Sequence, residues 1–172
     1  DHPQLSSSAT GAGASPPRRS ALRTGLIAGA FASVASTITL SVCGRRQVAS
    51  ASAPTNATSH WIWDRTALLR KSPSLRHTLI GYAIHHGSAT FWAVLYAWLH
   101  ANRRPAQSVP AALSGAGVAV ATARGGDYLA RPRWPASGVE HHLSRTAMAT
   151  VYASFAVGLA LGCAVANRPP RP

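Results

Sequence analysis

Residues 24–43 read TGLIAGAFASVASTITLSVC, a stretch without formal charge, bracketed by Arg18, Arg19 and Arg23 before it and Arg45 and Arg46 after it. At about 1.5 Å per residue a helix of that length is about 30 Å long, the thickness of the hydrocarbon core of a bilayer. Small residues recur along it at every fourth position: Gly25, Gly29, Ser33, Thr37 and Ser41. Lipid tails give helices no hydrophobic drive to associate, so close approach through such rows is the usual way for them to pack. The stretch therefore predicts a transmembrane helix with a packing face.

The same texture returns at residues 146–166, TAMATVYASFAVGLALGCAVA, where Thr150, Ser154, Gly158, Gly162 and Ala166 form a second row. Between them lie 79–99, LIGYAIHHGSATFWAVLYAWL, with Tyr96 and Trp98 placed as interfacial aromatics often are, and the shorter Ala-rich 109–123, which opens with Pro110. Together these segments predict an all-α polytopic membrane protein, a bundle of four transmembrane helices at about 24–43, 79–99, 109–123 and 146–166. That domain covers 21–167, between a disordered Ser/Ala/Gly/Pro-rich tail at 1–20 and a short tail at 168–172. Gly25, Gly29, Ser33, Gly158 and Gly162 are expected at helix contacts. A competing reading takes RRSALR as a twin-arginine signal and ASASA at 49–53 as its cleavage site, which would change the helix count but not the class.

Composition points the same way. The chain has 172 residues, 17 Lys+Arg against 4 Asp+Glu, a net charge of +13, and only 12% charged residues. A soluble domain carries about 25% charged residues. A nucleic-acid module spreads its Lys and Arg over one face, whereas here 21 uncharged residues separate Arg23 from Arg45 and 26 separate Arg76 from Arg103. The expected partners are the lipid bilayer and other membrane proteins or a second copy, not nucleic acid. Sixteen of the 17 basic residues are Arg, a bias of GC-rich bacterial genomes. Cys43 and Cys163 form no C-x-x-C pattern and are expected on helix surfaces.

With four crossings, the 44–78 and 124–145 loops fall on one side. They hold every acidic residue except Asp1, namely Asp64, Asp127 and Glu140, together with His60, His77, His141 and His142. His85 and His86 reach into the same side, about 9 to 11 Å deep. Ionisable residues inside a membrane are rare and face a bundle interior or a wet cavity, so His85, His86, Asp127, Glu140, His60 and Tyr82 make up the candidate polar site. Adjacent helix positions diverge by about 100°, so at most one histidine points inward. His86 shares a face with Tyr82, Thr90, Ala93 and Ala97, and His85 with Ala89, Trp92 and Tyr96. Because the larger aromatics suit lipid, His86 is the expected inward residue. Such a histidine can ligate haem or a metal, carry a proton, or simply bond a neighbouring helix, and the last is the commonest case. Trp61 and Trp63 suit a loop pinned to the headgroup layer. No Walker loop, dinucleotide glycine fingerprint, nucleophile elbow or HExxH is present, so no enzyme is expected.

Three segments carry a resemblance: PTNATSHWIWD at 54–64, SLRHTLIGYAIHHGSATFWAVLYAW at 74–98 and GDYLARPRWPASGVEHHLSRTAMATVYASFAVGLALG at 126–162. Over residues 22–166 the chain resembles a group of short four-helix bacterial membrane proteins without an assigned function. The resemblance implies the bacterial inner membrane and supplies no catalytic residues. In that group a Gly often stands where this chain has Asp64, and an acidic residue where it has Ala97. Arg18, Arg19 and Arg23 before the first helix favour cytoplasmic termini. The leading functional expectation is a non-enzymatic accessory or assembly component of a membrane complex. The alternatives are a subunit binding haem, a related tetrapyrrole or a metal through His85 or His86, and a small proton or ion transporter.

Overall fold

Proline has no N–H to leave unsatisfied and a φ already suited to a first helical turn. Pro17 accordingly opens α1 (Pro17–Val48), a helix longer than its apolar stretch at both ends. The computed structural model describes residues 17–100, 117, 138–139 and 142–168. The expected tail at 1–20 is thus corrected at residues 17–20, which are helical; the rest of it lies outside the described residues. At the other end Ala49 takes a left-handed φ of 55°, and the Ser50 N–H reaches back to the Gly44 carbonyl at 3.3 Å.

Two long helices flank α1. Those are α4 (Ile80–His100) and α5 (Arg145–Ala166), and both run antiparallel to it. For α4, Gly25 lies against Val94, Gly29 against Thr90 and Ser36 against His85. For α5, Gly162 lies against Ala28 and Gly158 against Ala32. Polar ties hold both ends of α5 to α1. Gln47 Oε1 accepts from the Ser144 N–H at 2.8 Å, and Arg23 Nη1 donates to the Ala166 carbonyl at 3.5 Å, where a cation suits the helix C-terminus. Ser144 caps α5 by accepting from the Ala147 N–H at 3.2 Å.

The packing inverts the pattern of a water-soluble bundle. Ala21, Ala28, Ala32, Ser33 and Ser36 are buried on α1, while Leu22, Leu26, Val34, Ile38 and Val42 are exposed. Phe91 and Trp98 on α4, and Val157 and Leu161 on α5, are exposed as well. Tyr96 and Cys163 lie inside with Ala28, Ala32, Ala93 and Leu159, so Cys163 is a core residue and not a surface one. A second cluster, Leu40, Val139, Leu143, Ala147, Met148 and Val151, closes the other end.

Two helical stretches, Ser20–Val48 and Arg145–Ala166, are long and apolar enough to cross a membrane. The α4 helix is of comparable length and carries three histidines, two tyrosines and two tryptophans among its aliphatic residues. Apart from Gly117, the helix expected at 109–123 lies outside the described residues. The secondary structure among the described residues is all helical, without strands.

The expected 44–78 loop is instead largely folded: α2 (Ala53–Thr58), α3 (His60–Leu69) and a single π-helical turn, Leu75–Leu79, leading directly into α4. Every residue of α2 is buried. Its backbone comes so close to α4 that a Cβ at Gly81 would meet the Thr55 carbonyl oxygen at 2.0 Å. This cap covers the end of the bundle where α1 stops and α4 and α5 begin.

Candidate functional site

The glycines fix the register of the α1–α4 seam. A Cβ at Gly25 would lie 2.4 Å from Val94 Cα, and one at Gly29 would lie 2.6 Å from Thr90 Cα. Continuing that antiparallel register along α1 sets Ser33 level with His86 and Thr37 level with Tyr82. Ser33 is separated from Arg23 by about 15 Å of helix and from Arg45 by about 18 Å, which is mid-depth for a spanning helix.

At that level the seam turns polar. Ser36 Oγ lies 2.8 Å from His85 Nε2 and 2.7 Å from the Ala32 carbonyl oxygen. The hydroxyl has one proton, and the carbonyl can only accept, so the hydroxyl donates to Ala32 and accepts from the His85 Nε2–H. This assigns His85 a proton on Nε2. The His86 ring packs against Tyr82, with centroids 5.8 Å apart and planes tilted by 31°. Four buried polar atoms here have no hydrogen-bond partner: Ser33 Oγ, Thr37 Oγ1, His86 Nδ1 and Thr90 Oγ1. A buried polar atom left unpaired costs about 1–3 kcal/mol, so four in one seam demand a cause.

The expectation that only His86 reaches inward is corrected: His86 Nδ1 is buried in the seam as expected, but His85 reaches it too. His85 makes the bond to α1, and its face-mates Ala89 and Tyr96 are buried. The error lies in sending aromatics to lipid: the small residues of α1 and α5 leave room for the Tyr96 ring inside. On α4 the exposed aromatics are Phe91 and Trp98.

Of the remaining expected site residues, Tyr82 joins the seam and His60 does not. His60 belongs to the cap, where its Nδ1 lies 2.8 Å from the Ala57 carbonyl oxygen and beside Gly138, whose φ is +80°. Asp127 and Glu140 lie outside the described residues. Gly25 and Gly29 face α4, Gly158 and Gly162 face α1, and Ser33 is fully buried.

Asn56, which no catalytic or binding motif in the sequence singles out, is the hub of the cap. Its side chain is fully buried and fully bonded: Nδ2 donates to the Arg70 and Ser72 carbonyls, both at 2.9 Å, and Oδ1 accepts from Thr78 Oγ1 at 2.6 Å. Ser50 and Ser52 both donate to the Lys71 carbonyl, Ser52 at 2.7 Å. Outside this hub the Arg76 guanidinium stacks over Trp63, 3.6 Å from the ring centroid. Beside them, Ser74 Oγ accepts from the His77 N–H at 3.1 Å. Desolvation, then the Arg70 and Arg76 charges, hold the His77 imidazole below its ordinary pKa.

The seam does not suit a tetrapyrrole. Helices α1 and α4 meet backbone to backbone at Gly25 and Gly29, and His85 Nε2 is already engaged. Among the described residues no group of three or more His, Cys, Asp or Glu side chains is placed to hold a metal ion.

Compared with protein-family models, with curated proteins and with solved structures, the chain matches none of them.

Proposed function

We propose that the chain is a multi-pass protein of the bacterial inner membrane, with four crossings, that acts as a non-enzymatic accessory or assembly component packing against other membrane proteins or a second copy. The observation that carries the membrane reading is the inverted packing, with alanine, serine and glycine inside and Leu22, Leu26, Val34, Ile38 and Val42 outside. In water such a surface is an aggregation liability, whereas in lipid it costs nothing. Four crossings are supported by topology: α4 ends beside the start of α1, α5 begins beside its end, and the chain between them joins opposite ends of the bundle. The direct test is cysteine accessibility in sealed vesicles. Positions 102 and 167 should label from one side and position 72 from the other; positions 102 and 72 labelling together would remove the four-crossing reading.

A second reading, transport of protons or small ions, is favoured by the four unpartnered polar atoms at mid-depth. Proton flux in liposomes that is lost in His86→Leu would support it. Flux no greater than in empty liposomes would exclude it.

A further inference from the structure

Six basic residues lie between positions 45 and 76, and the one acidic residue there is Asp64. Arg70 and Arg76 both act on His77 at one face of the cap, and Lys71 follows Arg70 in the chain. The Arg70, Lys71 and Ser72 carbonyls are drawn inward by Ser50, Ser52 and Asn56, and the Arg70 and Lys71 side chains are left exposed. From the π-helical turn Arg76 lies flat over Trp63, and His77 feels the charges of both Arg70 and Arg76. At the base, Trp63 Nε1 is buried and has no acceptor. The site thus gathers N–H donors and positive charge around an indole N–H that lacks the one thing it needs.

The surroundings indicate the source of that acceptor. Leu75 and Leu69 are the most exposed large apolar residues of the described chain, at 84% and 77%, and they directly precede Arg76 and Arg70. Leu79 is exposed one helical turn after Leu75. Leucines beside guanidiniums on the rim of an apolar bundle match the boundary between acyl chains and headgroups, where phosphate oxygens accept from Arg in paired hydrogen bonds.

We propose that the face formed by Arg70, Lys71, Arg76 and Trp63 binds the phosphate of an anionic phospholipid headgroup. The inference rests on the membrane reading above. The phosphate oxygens accept from Arg70, Lys71 and Arg76, and from the orphaned indole N–H when the side chains that cover it give way to the headgroup, while Leu69, Leu75 and Leu79 lie along the acyl chains. A soluble anion would gain nothing from those leucines.

The test places the full chain in nanodiscs containing phosphatidylcholine and phosphatidylglycerol and counts, by native mass spectrometry, the lipids retained on release. Several-fold preferential retention of phosphatidylglycerol is expected. Arg70→Gln, which leaves the Arg76–Trp63 stack in place, and Trp63→Phe, which keeps the ring but not its N–H, should each reduce the preference severalfold. Arg145→Gln, at the start of α5 and not part of the cap, should leave it unchanged. No preference in the parent chain overturns the proposal, as does an equal loss in Arg145→Gln, which would indicate diffuse charge. Displacement of the lipid by inorganic phosphate alone would assign the face to a free anion and also overturn it. If the membrane reading itself fails, the chain does not enter nanodiscs at all and is extracted from vesicles by alkaline carbonate, a result separate from lost selectivity.

Discussion

Along its seam with α5, between the polar ties at each end, α1 packs Ala28 and Ala32 against Gly158 and Gly162, then Leu40 against Val151 and Met148. Along its seam with α4 it begins in the same way, at Gly25 and Gly29, but then presents Ser33, Ser36 and Thr37 to a helix carrying His85, His86 and Thr90. The first seam leaves no described side-chain polar atom of α5 buried without a partner; the second holds four such atoms. One helix thus uses one face for cohesion and a neighbouring face for something that cohesion does not require. Selection for stability alone would have made both seams alike.

The sharpest way to break this comparison is to force the dry seam apart. Gly162→Leu places a side chain where Ala28 Cα stands 2.4 Å from the Cβ position, so backbone must move. Stability in detergent should fall by about 3 kcal/mol, the upper range for overpacking. Gly25→Leu should do the same for α4. Unchanged unfolding midpoints for both would mean that these faces meet lipid and not helices.

Nearly as large an effect is expected in the cap. Asn56→Ala removes two donors from buried carbonyls and the acceptor for Thr78, and should cost about 2–3 kcal/mol. Because Asn56 ties the 70–72 segment to the entrance of α4, faster amide exchange should appear there and not in α5. Exchange that rises evenly along the chain would argue against a separately held cap.

How much of this was legible in the sequence varied with the physics involved. The bounds of α4 and α5 follow from charge and capping: Ser144 and Arg145 stand where an apolar helix must begin, and Arg76 stands just before one. The small-residue rows were only half informative. A fourfold repeat advances about 40° per step around an α-helix, so it cannot stay on one face. Gly158, Gly162 and Ala166 accordingly meet α1, while Thr150 has turned outward. The cap was not legible, because six residues of α2 have no helical periodicity to read. They are held by Asn56 and by partners up to 22 positions away in sequence. The side taken by His85 was misread because the space available to Tyr96 depends on alanines in other helices.

A smaller effect tests the polar seam directly. Ser33→Ala and Thr37→Val delete hydroxyls that are buried and unpaired, so each should stabilise by about 1 kcal/mol. Ser36→Ala, which removes the partner of His85, should destabilise by about as much. If all three destabilise equally, Ser33 and Thr37 are bonded after all, to water or an ion, and the seam is hydrated.

The smallest effect belongs to His77, and it contrasts the cap with the bundle through pH. Desolvation, with the Arg70 and Arg76 charges, lowers its folded pKa below the ordinary value of 6.5. The folded state therefore binds the proton less readily than the unfolded chain does, and stability rises with pH wherever the unfolded state holds more protons. The contribution of a neutral His77 is complete above about pH 6.5, shrinks as the pH falls through the interval down to the lowered folded pKa, and levels off below it. In melts between pH 7 and 5, the parent chain should lose thermal stability more steeply than His77→Asn, which keeps an acceptor near Ser74 but does not titrate. Arg76→Gln, by removing one of the two charges, should flatten the profile part of the way. Identical slopes in all three chains would place the acid sensitivity elsewhere, with the bundle histidines as the next residues to replace.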